Sequence, residues 1–351
     1  MSYTNGLDDP SAYFTATLYT GNGSANHAIT NDANAGNFQP DMLWYKSRSY
    51  ASSHILYDSS RTDANFLTVN TTAQEKTDAN MLESFDANGF TLNADTDGNR
   101  ASNTFVGWQW KCNGGTTVSN TDGDINSTVQ VNSDAGLSIV TYTGNFTATQ
   151  TVGHGLGVRP DMVIIKNRDT AVDWVVWTPE LTSGNFLKLN DEVTQSSSSR
   201  IYQAGFTTST FGIGANNTVN KSGNDLVAYC FASKQGYSKF GKYVGNGNTD
   251  GVFNYTGFKP AFVMLKKYNT SADSWVILDN KRDTNNVVSG RLFPDLANSE
   301  STSTDMVDFL SNGFKLRTSG SAYNGSGVGY IYMAFAENPF VTSTGIMGTA
   351  R

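Results

Sequence analysis

The chain has 351 residues, a formal net charge of −7 and 16% charged residues against 38% hydrophobic and 12% aromatic ones. That length points to two or three domains, the acidity excludes a phosphate-binding groove of clustered Lys and Arg, and no apolar run approaches the roughly 20 residues of a membrane helix. Polarity is carried by Asn, Ser, Thr and 34 glycines, which favour turns, while Tyr, Phe, Trp, Val and Thr favour half-buried strands, so composition predicts an all-β protein.

Residues 1–11 show no basic stretch followed by an apolar core, so they predict no secretory signal. They precede the first landmark of an internal repeat, Tyr19-Thr20-Gly21-Asn22, which returns as Tyr142-Thr143-Gly144-Asn145 and Tyr243-Val244-Gly245-Asn246. About twenty residues later comes Pro40-Asp41-Met42-Leu43-Trp44-Tyr45-Lys46, matched by Pro160-Asp161-Met162-Val163-Ile164-Ile165-Lys166 and Pro260-Ala261-Phe262-Val263-Met264-Leu265-Lys266. Proline lacks an N–H, so it opens a strand at no cost in ladder bonds. The apolar run behind it predicts a strand covered on both faces.

Next in each unit come His54 to Asp58, Trp174 to Trp177 and Trp275 to Asp279, read as a further strand. Asn88-Gly89 and Asn312-Gly313 read as hairpin turns, with Ala204-Gly205-Phe206 as the middle copy. A closing aromatic strand ends each unit at Thr104 to Trp110, Leu226 to Phe231 and Tyr330 to Phe335. The chain is therefore read as three tandem β-sandwich-like modules of about 100 residues, at 12–112, 136–235 and 236–340. A Gly/Ser/Thr/Asn-rich linker at 113–135 joins the first two, while the second junction is short. Residues 1–11 and 341–351 form tails expected to dock on neighbouring subunits or remain mobile.

These motifs resemble a repeated domain of uncharacterised function found in tail-associated and other structural proteins of bacteriophages, marine ones especially. The likeness rests on Tyr142 to Asn145, Arg159 to Arg168, Gly236 to Asn248, Asp308 to Arg317 and Tyr330 to Phe340, and is weakest in the first module. It implies a virion component: a tail fibre, tail tip or attachment part, with a head decoration or head fibre as the alternative; the rival class is a carbohydrate-binding module or a polysaccharide-degrading enzyme. Virion proteins, copies of the chain and a host-surface glycan or protein would be the partners. The chain would be made in the host cytoplasm, without nucleic-acid binding or membrane insertion.

No catalytic residue and no cofactor is read. His54 and Asp58 lie about 13 Å apart on one strand, and Gly153-His154-Gly155-Leu156-Gly157 lacks the strand-to-helix context of a phosphate loop. Asp95, Asp97 and Asn99, and Asp122, Asp124 and Asn126, alternate oxygens as calcium loops do, without the trailing Glu, and are read as turns first and calcium sites second. Trp44, Trp174, Trp177 and Trp275 are candidate ligand platforms, although strand tryptophans are core more often than not. Lys46, Arg48, Lys166, Arg168, Lys266 and Lys267 are read as solvated strand ends, with repeated interface contacts as the alternative. Cys112 and Cys230 are expected to be free thiols. Depleted charge and abundant aromatics suit a homo-oligomer, and the resemblance to phage proteins, whose fibres commonly use threefold symmetry, makes a trimer the best guess.

Overall fold

The computed structural model describes residues 7, 9–31 and 38–337. The chain is all-β, and its three modules repeat one main sheet in one strand order. An opening strand (Phe14–Thr20, Leu137–Thr143, Ser238–Val244) pairs with the closing strand (Thr104–Trp110, Asp225–Phe231, Gly329–Ala336). The closing strand pairs with the proline strand (Met42–Ser47, Met162–Asn167, Pro260–Lys267), and that with a fourth strand (Ile55–Asp58, Val175–Trp177, Val276–Asp279). Neighbours are antiparallel throughout. Pro40, Pro160 and Pro260 thus hold equivalent places at the start of the third strand in that order, as the repeat predicts.

A smaller outer sheet packs on one face of each main sheet, giving a sandwich. Its outer strand is His27–Thr30, Gln150–Gly153 or Phe253–Tyr255, paired with Gly89–Leu92, Thr210–Ile213 or Gly313–Leu316. Within the sandwich, Leu43 and Tyr45 meet Phe90 and Phe105; Val163 and Ile165 meet Phe211; Val263 and Leu265 meet Phe314. The alternate residues of the same strands, Met42 and Trp44, Met162 and Ile164, Phe262 and Met264, point the other way into one central core shared by all three modules. This explains why every residue of the proline strands is buried: period-two alternation feeds two cores instead of one core and solvent. The modules are therefore not independent beads in tandem.

They close a ring. The backbone N–H of Glu75 in module 1 donates to the Arg168 carbonyl in module 2, Gln195 of module 2 to Tyr268 of module 3, and Glu300 of module 3 back to Arg48 of module 1, at 2.8, 3.0 and 2.9 Å. These are equivalent residues at three equivalent junctions. Indole N–H groups repeat the pattern, Trp174 to the Thr68 carbonyl and Trp275 to that of Lys188. At the third junction His54 stands in the tryptophan's place, beside Phe293 but without a completed hydrogen bond from Nε2.

The strand-end lysines belong to these junctions and are not solvated. Lys46, Lys166 and Lys266 are 0% exposed. Lys166 Nζ donates to the Thr72 carbonyl of module 1 and Lys266 Nζ to the Glu192 carbonyl of module 2, while Lys46 turns to its neighbour Ser47. For Lys166 and Lys266 the sequence hides this because these acceptors are backbone carbonyls of another module. Burial lowers all three ammonium groups to about 8, below the value of about 10.4 for an unfolded lysine. Between those two values the unfolded chain holds protons that the folded chain has released, so each lysine adds stability as pH rises through the window. The difference in urea midpoint between the wild type and Lys166→Met is accordingly expected to shift in favour of the wild type from pH 7.5 to 9.5; a pH-independent difference would contradict it.

Other expectations are corrected. Segment 113–135 is not a free linker: Val118–Asn120 and Ser127–Asn132 add two strands beyond the module 2 opening strand. The Asp41 carboxylate pins its start by accepting from the N–H groups of Cys112, Gly114 and Gly115. The two hairpins form, but Asp86 pairs with Gly89 and Leu310 with Gly313, so the turns are Ala87-Asn88 and Ser311-Asn312. Each glycine is instead the first strand residue, where a Cβ would overlap the carbonyl of Ile29 or Asn254 on the neighbouring strand. In module 2, Gln203–Gly205 is a single 3-10 turn; the true counterpart of Phe90 and Phe314 is Phe211, which packs edge-on against Tyr142 as Phe90 does against Tyr19 and Phe314 against Tyr243. In the N-terminal segment Leu7 is buried in the chain's own central core and Asp9 caps the turn at Pro10–Ala12. Residues 341–351 lie outside the described residues.

Candidate functional site

The Tyr-x-Gly-Asn motif is a clasp, and it absorbs part of the calcium reading. Each module has a one-turn helix, Thr96–Asn99, Asn217–Asn220 or Ser321–Asn324, ending in an asparagine that is 0% exposed. The motif tyrosine donates to the carbonyl preceding that asparagine: Tyr19 to Gly98, Tyr142 to Val219, Tyr243 to Tyr323, at 2.9, 2.8 and 2.7 Å. The motif glycine lies against the carbonyl that follows it, where any Cβ would overlap Arg100, Lys221 or Gly325. The motif asparagine donates its N–H to the buried Oδ1: Asn22 to Asn99, Asn145 to Asn220, Asn246 to Asn324. Asn99 spends its Nδ2 on Asn22, Ser24 and Asn93, so it presents donors where a cation needs oxygens. Asp95 caps the first helix through Asp97 N–H, and burial with the neighbouring Asp95 raises the Asp97 carboxyl. Asp122 pairs with Asn120, and Asp124 accepts from the Thr151 backbone and hydroxyl. Asn126 lines a surface cleft with no acidic residue but Asp225.

The tryptophan candidates are core. Trp44, Trp174, Trp177 and Trp275 are at most 2% exposed, so none offers a face to a ligand. Trp44 donates to His54 Nδ1, and Trp177 stacks on Phe206 with its N–H on Gln203. His54 is held well below its ordinary range by burial and the nearby Lys46, and His154 is lowered to about 4 by burial. Cys112 and Cys230 are free and buried, their thiols pushed up by desolvation. Among the described residues no group of three His, Cys, Asp or Glu side chains converges as a metal site, and no helix is long and apolar enough to cross a membrane.

Groups that face outward are hydroxyls, amides, scattered charges such as Lys76, Glu83, Asp122, Lys239 and Asp250, and a few rings. The strands added by 113–135 create a cleft of about 240 Å³ lined by Ser119, Asn126, Thr128, Thr141, Thr143, Arg168 and Asp225. Arg168 is held by Glu75 through two bonds of 2.9 and 2.8 Å, and Thr143 donates to Asp225. With its cation neutralised, the cleft suits a neutral polyhydroxylated ligand better than an anion. Large apolar side chains are exposed singly at Leu18, Val118, Phe146 and Val158, and in module 3 at Val244 and at the strand pair Phe253 (45%) and Tyr255 (66%). Sequence reasoning missed both features: the cleft depends on an insertion read as a linker, and the rings lie in a strand too short to signal its facing.

A family model described as Domain of unknown function (DUF7483) matches residues 9–339. No curated protein and no solved structure matches the chain. The family match spans the three modules as one unit, which agrees with a ring that has a single central core.

Proposed function

We propose that this chain, which belongs to the DUF7483 family, is a non-catalytic structural component of a bacteriophage particle, carried on the tail as an attachment part. The reading starts from the phage-like motifs. The observation that supports it best is the placement of the chemically capable side chains: Lys166, Lys266 and the buried pairs Arg61–Asp58 and Arg282–Asp279 are taken up at the ring's junctions, and Lys46 and His54 are buried beside them. What remains outside is a rigid, weakly charged body suited to assembly. Labelling the chain in purified particles is expected to place it on the tail, and incubation with host-surface polysaccharide is expected to leave chain length unchanged. A particle free of the chain, or depolymerisation above a denatured control, would overturn the proposal; label on the capsid would move it to head decoration.

A homotrimer belongs to the same proposal, although the aromatics that suggested it are taken up by one chain's central core. Light scattering showing a stable monomer at tens of micromolar, the upper range of weak specific association, would remove it. The hydroxyl-lined cleft favours a second reading, a glycan-binding module, which titration with neutral oligosaccharides would test.

A further inference from the structure

Among the described residues the outer strand Phe253–Tyr255 has one hydrogen-bonded neighbour, Gly313–Leu316. Val252 and Thr256 bond toward that side, Leu316 N–H to the Val252 carbonyl and Thr256 N–H to Asn312. Antiparallel alternation then turns the backbone of Phe253 and Tyr255 toward the open edge. Their rings stand on the outward face, 45% and 66% exposed.

Module 2 shows what such an edge takes. Its outer strand Gln150–Gly153 pairs Val152 with Phe211 as Asn254 pairs with Phe314, so Thr151 and Gly153 are the counterparts of Phe253 and Tyr255. There the chain's own segment 120–127 occupies the edge. Ile125 N–H donates to the Thr151 carbonyl at 3.0 Å, Thr151 N–H donates to Asp124 Oδ2 at 3.0 Å, and Ser127 Oγ donates to the Gly153 carbonyl at 2.8 Å. Ile125 forms a parallel bridge with Val152, and Asn120 fills the space over Gly153 that a side chain there would need. Among the described residues no segment takes this place in module 3 or in module 1, and module 1 carries the small Ala28 and Thr30 at these positions.

We propose that the open edge at Phe253–Tyr255 is a docking site for an extended polypeptide segment of a partner protein, which adds as a strand where segment 120–127 covers the edge of module 2 through one backbone bridge and side-chain bonds, and covers the two rings with apolar side chains. A strand is favoured over a sugar because the unpaired backbone groups alternate at strand spacing and their counterparts already take polypeptide partners. The neighbouring opening strand Ser238–Val244 carries Lys239 and Lys242, charges that discourage pairing along its own edge and direct the partner to the outer strand.

The test pans a phage-displayed library of random dodecapeptides on the immobilised full-length chain and titrates the enriched peptides against wild type and the double variant Phe253→Ala, Tyr255→Thr, which carries the residues of module 1. Enriched peptides are expected to lose at least tenfold in affinity on the variant and to slow amide exchange at 253–255, while the thermal midpoint of the variant stays within a few degrees of wild type. Failure to enrich any peptide, or peptides that bind both proteins equally, would overturn the proposal. Self-association in sedimentation that the variant abolishes would also overturn it, by making a second copy the occupant. None of these outcomes depends on whether particles carry the chain.

Discussion

Arg282→Leu alone is expected to destabilise the chain by about 3–5 kcal/mol, whereas the combination Asp279→Thr, Arg282→Leu, Glu300→Gln is expected to recover most of that loss. The Arg282 side chain has no exposure. It bonds Asp279 at 2.6 Å, Glu300 at 2.7 Å and the Ile277 carbonyl at 2.9 Å, and Asp279 also accepts the Trp108 indole N–H of module 1. Removing the cation alone leaves the fully buried Asp279 without its charge partner, so that its desolvation is uncompensated, and leaves Glu300 with Arg48 alone. The junction between modules 1 and 2 uses the same device, Arg61 on Asp58 and Glu75 with the Tyr229 hydroxyl on Asp58. At the junction between modules 2 and 3 the equivalent residues are Thr178, Leu181 and Gln195, and Leu181 joins the apolar central core. The triple replacement therefore installs the three residues this fold already uses at that junction, while Arg48, half-buried where that junction has Tyr268, exchanges its ion pair with Glu300 for a neutral partner. Urea midpoints of wild type, single and triple variants measure the effect; a triple variant no more stable than the single one would show that the junctions are not interchangeable.

The repeat, the equivalent prolines, the sandwich and the buried proline strands were all readable, because proline chemistry and period-two apolar runs are local signals. Ring closure was not. Trp44-Tyr45 and Ile164-Ile165 announce a strand apolar on both faces, but nothing in the run says that one face belongs to a neighbouring module. Lys166 and Lys266 look solvated because they reach the carbonyls of Thr72 and Glu192 in another module, and Lys46, bonded to Ser47, is buried by packing that the local sequence does not show. The calcium reading of Asp95, Asp97 and Asn99 failed for a related reason. Alternating oxygens also describe a helix cap followed by a buried amide, and only the partner residues Asn22 and Ser24, more than seventy positions away, distinguish the two. The clasp did leave a trace, since each Tyr-x-Gly-Asn is followed, late in its module, by an Asn before the closing strand; without the fold that spacing had no chemistry to attach to.

That clasp gives the second large effect. Asn324→Ala is expected to cost about 2–3 kcal/mol, and Asn324→Asp about 3–5 kcal/mol at neutral pH, although aspartate is the closer isostere. Asn324 Nδ2 donates to Asn246 Oδ1 at 3.0 Å, to the Asn248 carbonyl at 2.8 Å and to the Thr318 carbonyl at 2.7 Å, while Oδ1 accepts the Asn246 N–H at 3.0 Å. Alanine leaves these partners unpaired. A carboxylate keeps the single acceptor role but turns negative charge toward three oxygens, which raises its folded pKa above the unfolded value of about 3.9. Such a group penalises the folded chain once pH exceeds that raised value, and the penalty fades as pH falls toward the unfolded one. The Asp variant should accordingly be the least stable of the three proteins at pH 7 and approach the Ala variant near pH 4, with midpoints compared to wild type at each pH. An Asp variant as stable as wild type at pH 7 would mean that Asn324 serves the clasp through its acceptor oxygen alone.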